Sequence, residues 1–281
     1  MTGFVVVDKA AGASSAREVN IIKKLTKTPC GHMGTLDPMA TGVLPIAIGN
    51  AARLFDYFLE KRKTYKAVFR FGVDSDTLDT TGELRENAGR IPDRREIEEV
   101  LPEFIGEIDQ LPPKYSAKNV AGKRAYELAR SGVEFELPRK RVNIYSIRLL
   151  SEEKDGYGFD IECGGGTYIR SIARDIAEKL GTVAVMSSLI RTKSGCFDLE
   201  SAVKTEQLTA ENIGRYIIPT QNVLPYDSIN PTEKDAKKLF NGLSVQCDLA
   251  DGIYKLFHTD GSFYGLGEAK HNTLKVRTKL C

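Results

Sequence analysis

Few residues in this chain stand in the patterns that build metal centres, disulfide frameworks or nucleotide-binding loops. Its cysteines, Cys30, Cys163, Cys196, Cys247 and Cys281, are odd in number and widely spaced. That spacing argues against a disulfide framework and fits reduced thiols. No CxxC or HxxxH spacing occurs. Cys30 and His32 are the one close pair, and nothing completes them as a metal site. Gly164-Gly165-Gly166-Thr167 invites a phosphate-loop reading, but neither GxxxxGK[ST] nor GxGxxG is present. No apolar run approaches a membrane span and no basic-then-apolar leader opens the chain, so a cytoplasmic location with no membrane partner is expected. Charge of one sign is also scarce, with 40 basic against 38 acidic side chains. A polyanionic partner is neither demanded nor excluded by that balance, and local patches must decide. A chain of 281 residues fits one large domain, or one large and one small.

What the chain does have is one unusual loop, from Cys30 to Pro45, with glycines at both ends, prolines inside, and one acid, Asp37. Proline removes a backbone donor and glycine weakens helix and strand alike, so this segment is an irregular loop. It shelters a carboxylate among apolar neighbours, or it is a structural Asp-Pro turn. Ahead of it, residues 4–8 read as a buried strand. Ser15 and Glu18 have capping-box spacing, with Ser15 as N-cap. Val19, Ile22 and Leu25 then share one helical face. A short strand over 44–48 and a helix over 51–59 are expected to follow.

Basic residues gather in particular places. Lys61 to Lys66 leads into a half-buried strand over 67–71. Asp93 and Glu96 cap a helix through Phe104. Pro112-Pro113-Lys114-Tyr115-Ser116-Ala117-Lys118 precedes a short helix over 123–130, then Arg139-Lys140-Arg141 and a strand over 142–150. Cations interleaved with Tyr115 and Tyr126 suit a nucleic-acid surface, or make a plain solvated face. A helix is expected from Tyr168 to Gly181. Arg170 in its first turn opposes the helix dipole, so it either pairs with a carboxylate or stays exposed. Beyond Pro225 a short helix, short strands and a basic tail make a small β-rich appendix.

These stretches resemble the TruB family of tRNA pseudouridine synthases over nearly the whole chain. The loop from Gly31 to Gly42 resembles the family signature G-H-x-G-T/A-L-D-P-x-A-x-G. Lys63-Thr64-Tyr65, Pro112 to Ala117, Gly166-Thr167-Tyr168-Ile169-Arg170 and Leu189-Ile190-Arg191-Thr192 resemble four further motifs. The chain departs from the family at Lys9-Ala10, where Lys-Pro is usual, and at Met33, where a small residue is commonest.

The resemblance implies an α+β pseudouridine synthase fold, with a mixed, mostly antiparallel central sheet flanked by helices. It implies a catalytic unit over 1–225, an RNA-gripping insertion at about 112–141, and a PUA-like RNA-binding barrel over 226–281. The implied reaction breaks the glycosidic bond of uridine 55 in the tRNA T-loop, turns the base and rejoins it through C5. No cofactor and no nucleotide is needed. Asp37 would be the nucleophile or electrostatic stabiliser, Arg170 its bidentate counter-ion, and Tyr65 the ring that stacks on the base and helps to remove the C5 proton. Tyr168 and Leu189 would line the base pocket, and His32 would assist flipping. Lys9, Lys63 and Lys114 would contact RNA. The expected partner is the T-arm of tRNA, met by a monomer. A non-catalytic tRNA-binding protein would not require Asp37, Tyr65 and Arg170 together. A glycosidase would want a second carboxylate.

Overall fold

The computed structural model describes residues 1–59, 61–116, 118–120 and 122–280, so Ala117 of the Pro112 segment and Cys281 lie outside the described residues. The chain opens with β1 (Gly3–Lys9) and α1 (Ser15–Thr26). β2 (Cys30–His32) enters the Asp37 loop and β3 (Thr41–Ile48) leaves it. A 3-10 segment and α2 (Phe55–Leu59) stand where one continuous helix was expected. Then come β4 (Lys63–Phe71), a small hairpin of β5 (Asp74–Ser75) and β6 (Leu84–Arg85), α3 (Arg94–Val100) and β7 (Gly106–Gln110). The basic insertion holds a second small hairpin, β8 (Asn119–Val120) with β9 (Lys123–Arg124), and α4 (Ala125–Arg130). The long hairpin of β10 (Lys140–Glu153) and β11 (Gly156–Cys163) leads to α5 (Ile169–Lys179), β12 (Ala184–Ser194) and β13 (Phe197–Asp198). The C-terminal part comprises β14 (Ser228–Ile229), α6 (Glu233–Phe240), β15 (Val245–Gln246), β16 (Gly252–Phe257), β17 (Phe263–Lys270) and β18 (Thr273–Lys279).

Nine strands form the main sheet, in the order β1-β3-β12-β4-β11-β10-β7, with β2 beside β3 and β13 beside β12. Every pairing is antiparallel except β3 with β12, which meet through Thr41–Ile190 and Gly42–Arg191. The sheet is therefore mixed and mostly antiparallel, as expected. Gly42 sits at φ +98°, and a Cβ there would strike the Arg191 carbonyl. Only glycine lets the loop's exit come this close to β12. β4 alternates as a half-buried strand should: Lys63, Tyr65, Ala67, Phe69 and Phe71 are buried in turn. Tyr65, Ala67, Phe69 and Phe71 share a core with Ile22 of α1 and with Ile172 and Ile176 of α5. The Phe69 and Phe159 rings lie 4.5 Å apart across β4 and β11. Truncating either to alanine would cost about 3–5 kcal/mol.

The second sheet runs β14-β16-β17-β18-β15. It is not a loose appendix. Leu266 and Leu280 are buried in one cluster with Phe4, Val6, Leu54 and Phe58 of the main body. Among the described residues no helix is long and apolar enough to cross a membrane.

Helix caps depart from expectation at one instructive place. Asp93 and Glu96 form the expected capping box. The N-cap of α1, however, is Ser14, whose side chain accepts from Arg17 N. Ser15 is buried and faces the Asp37 loop instead.

Candidate active site

Three side chains fix the loop by its backbone. Ser15 Oγ donates to Leu36 O at 3.0 Å and accepts from Leu36 N at 2.9 Å. Lys9 Nζ, fully buried, donates to Ala13 O, Ala10 O and Pro38 O at 2.7, 2.9 and 3.1 Å. Burial lowers its pKa to about 8. Arg191, also fully buried, donates from Nε to Val43 O at 2.7 Å and from Nη2 to Gly34 O at 3.0 Å. Arg174 is further out and braces Leu111 O, which also accepts from Ser171 Oγ. Within the loop, Ala40 N donates to Asp37 O at 3.0 Å and closes a turn around the acid. Asp37 is thus held before and after by buried groups.

Arg170, in the first turn of α5, is buried and meets several acceptors. Its Nη2 donates to Asp37 Oδ1 at 2.9 Å and to Tyr115 O at 3.0 Å. Its Nη1 donates to Thr77 O at 2.9 Å and lies 3.4 Å from Asp79 Oδ2. The expected pairing with a carboxylate is present, but the expected bidentate fork is not. The guanidinium is shared among four groups, and Asp37 receives one bond. Burial raises the Asp37 pKa, and Arg170 pulls it back. Among the described residues Asp37 Oδ2 accepts no hydrogen bond.

Tyr65 on β4 lies opposite Arg191 on β12, and Leu189 lies opposite Ala67. Both Tyr65 and Leu189 are buried in the main core cluster. Burial pushes the Tyr65 hydroxyl up to about 12. At neutral pH it is a phenol, so it carries no ready charge with which to take a proton. Tyr168 caps α5 with its backbone, its N–H donating to Gln110 Oε1 at 2.8 Å and its carbonyl accepting from Gln110 Nε2 at 3.1 Å. Burial raises the pKa of its half-buried hydroxyl. His32 lies on β2 opposite Ile46. Burial, then the Arg191 charge, lowers its pKa, so it is neutral. Its buried Nδ1 has no hydrogen-bond partner among the described residues.

The three lysines fare differently. Lys114 is exposed at the base of the insertion, and Lys63 is buried on the same face of β4 as Tyr65. The expected RNA contact from Lys9 is corrected by the structure: its ammonium is enclosed by three backbone carbonyls and works as a strut behind the loop.

Sequence reasoning passed over two residues. Asp79 is a second acid on the arginine, in a stretch between the strand over 67–71 and the helix capped by Asp93 that was given no role. Its Oδ1 accepts from Thr77 Oγ1, Thr81 N and Thr81 Oγ1 at 2.8, 2.9 and 2.5 Å. The signal was there in Asp74-Ser75-Asp76-Thr77-Leu78-Asp79-Thr80-Thr81, where short acceptors alternate with hydroxyls. Arg191 was quoted within a motif but given no task. A lone arginine in an apolar strand is the mark of a buried one that serves carbonyls.

Comparisons with known proteins point one way. A family model described as TruB family pseudouridylate synthase (N terminal domain) matches residues 22–169. Another, described as tRNA pseudouridylate synthase B C-terminal domain, matches residues 170–229. The chain is 36% identical to a Clostridium kluyveri protein named tRNA pseudouridine synthase B, over 98% of each chain. It is 40% identical to the protein of that name from Caldicellulosiruptor saccharolyticus, over 94% of this chain and 93% of that one. Its fold is similar to a chain in the structure of an H/ACA RNP bound to a substrate RNA containing 2'-deoxyuridine. There the TM-score is 0.72 at 22% identity, over 99% of this chain and 85% of the other.

Proposed function

This chain belongs to the TruB family of pseudouridylate synthases, and on that premise we propose that it isomerises uridine 55 in the T-loop of tRNA to pseudouridine. The observation that carries the reading is the Asp37–Arg170 pair. One carboxylate oxygen is bound at 2.9 Å, the other is open, and both side chains belong to a rigid frame. The arginine opposes the burial that raises the acid's pKa, and it fixes the direction of the open oxygen.

The target base leaves the folded RNA loop at a cost of roughly a few kcal/mol. Neutral His32 takes the vacated place beside the loop. The flipped base stacks on Tyr65 and packs against Leu189 and Tyr168. The open oxygen of Asp37 works at the sugar, and the bond between N1 and C1′ breaks. The base turns, C5 bonds to C1′, and the C5 proton is lost as N1 gains one. Atoms balance without a donor, so the chemistry calls for no cofactor. A protonated Tyr65 serves this sequence as a stacking surface; its high pKa is a poor match for a base at C5. Residues 1–225 act as the catalytic unit and 226–281 as a docked, PUA-like RNA-binding unit, in a monomer working in the cytoplasm. Lys63 and Lys114 meet the RNA backbone.

Incubation with tRNA carrying tritium at uridine C5 tests the reading. The expected result is release of one tritium per tRNA, lost when position 55 is changed to cytidine. No release from a chain that binds the tRNA would overturn it.

A further inference from the structure

The first turn of α5 carries Arg170, yet little within the helix holds that turn in place. Tyr168 is the N-cap, and its side chain makes no capping bond. No acid stands in the first turn, and Arg170 puts a cation at the positive end of the helix dipole. A helix that begins this way is set by something outside it, or its first turn frays.

The outside hold is Gln110, the last residue of β7 and only 1% exposed. Its carboxamide spends both ends on one residue. Tyr168 N–H donates to Oε1 at 2.8 Å, and Nε2 donates to Tyr168 O at 3.1 Å. With φ −103° and ψ 111°, Tyr168 is extended, so its N–H and carbonyl face the same way and meet the edge of a planar amide. A carboxylate has no donor for that carbonyl, and an ammonium has no acceptor for that N–H.

Any buried amide finds partners, so the bonds alone do not set Gln110 apart. Its place in the row does. The next residue, Leu111, offers its carbonyl to Ser171 Oγ at 2.8 Å and to Arg174 Nη2 at 3.0 Å. Tyr168, Ser171 and Arg174 recur every three positions, so the end of β7 grips one stripe of α5. Arg170 stands between the first two grips. Its guanidinium is held by Asp37, Thr77 O and Tyr115 O, and β7 holds the root from which it reaches.

We propose that Gln110 is a positioning residue for the reaction: by clasping the N–H and carbonyl of Tyr168 it sets where α5 begins, and with it the reach of Arg170 to Asp37 and the place of Tyr168 beside the base. The inference rests on the proposed function for the reaction it serves.

Gln110→Glu gives the sharpest test. A neutral carboxyl keeps the shape, the acceptor and one donor, whereas ionisation removes the donor and turns a negative oxygen on the Tyr168 carbonyl. Burial raises the introduced carboxyl above its ordinary value of about 4.3. The ratio of variant to wild-type kcat, from tritium release at saturating tRNA, is expected to fall about tenfold between about pH 5.5 and about pH 8, with KM within about twofold. Gln110→Ala should lie about 10- to 100-fold below wild type in kcat at every pH. In the crystal structure of that variant, Arg170 Nη2 should stand beyond about 3.5 Å from Asp37 Oδ1. Both variants are assayed well below their own Tm, so that lost folding is not read as lost kcat. A ratio flat with pH, a lowered Tm at unchanged kcat in both variants, or an Arg170 unmoved in the alanine variant would overturn the proposal. A wild-type chain that makes no pseudouridine would instead overturn the proposed function, and the position of Arg170 in Gln110→Ala would still decide what Gln110 does.

Discussion

Asp37 and Asp79 both lie against Arg170, at 2.9 and 3.4 Å, but their side chains are 30% and 5% exposed. Asp79 has its Oδ1 filled by Thr77 and Thr81 and its Oδ2 turned to the arginine. Asp37 has one filled oxygen and one open. Acids of one type around a single cation thus divide the work. The satisfied one anchors the guanidinium, and the unsatisfied one is the acid proposed to work at the sugar. Chemistry belongs to the group whose hydrogen-bonding capacity the fold leaves unspent.

The sharpest way to break this contrast is to neutralise each acid in turn. Asp37→Asn should lower turnover by about 10⁴-fold or more, measured by tritium release. The same variant should melt no lower than wild type at neutral pH. The Asp37 pKa is raised on folding, chiefly by burial. An acid with a raised pKa weakens the fold once ionised, and that penalty lifts as pH falls through the raised value. A clear drop in Tm for Asp37→Asn would erase the distinction. Arg170→Lys comes next, with a loss of about 10²- to 10³-fold in kcat, because one ammonium cannot serve Asp37, Thr77 O, Tyr115 O and Asp79 together. Near-normal turnover would mean that the shared guanidinium is not what orients Asp37.

Asp79→Asn should do the reverse of Asp37→Asn. It should cost about 3 kcal/mol in urea unfolding, because a buried cation loses a partner, while activity falls only about tenfold. If activity vanished at normal stability, Asp79 would belong with the chemistry. Ser15→Ala sharpens the comparison from the loop side. Losing the clasp on Leu36 should lower stability by about 1–2 kcal/mol and kcat about threefold, with KM little changed. The smallest effect concerns pH. Burial holds Lys63 at about 8, below its ordinary value of 10.5. Raising pH past about 8 should weaken RNA binding, read as a rising KM, while folding stability grows up to about 10.5. A KM flat from pH 7 to 10 would remove Lys63 from the RNA contact.

Much of this arrangement was legible before any coordinates. The acid loop announced itself because Gly and Pro exclude regular structure, and Arg170 because it opposed its own helix dipole. The alternation over 67–71 announced the strand, which in fact begins at Lys63 and so includes Tyr65. Asp79 was hidden because its role depends on an arginine 91 positions later, and a turn rich in Asp and Thr looks alike whether or not a cation faces it. Ser15 was misread for a related reason. Capping spacing is local, and the partner that captured its hydroxyl, Leu36, is not. Lys9 was expected to contact RNA through the family resemblance, and burial beneath Pro38 has no signature in a single sequence.

The parallel joint between β3 and β12 also sets a timetable. Arg191 binds Val43 O across 148 positions of sequence, so the loop's exit cannot be fastened until β12 exists. At about 5–20 residues per second, synthesis reaches it roughly 7–30 s after the acid has been made. Contacts of such long range also form late in folding. A nascent chain therefore carries Asp37 through that interval with no site assembled around it.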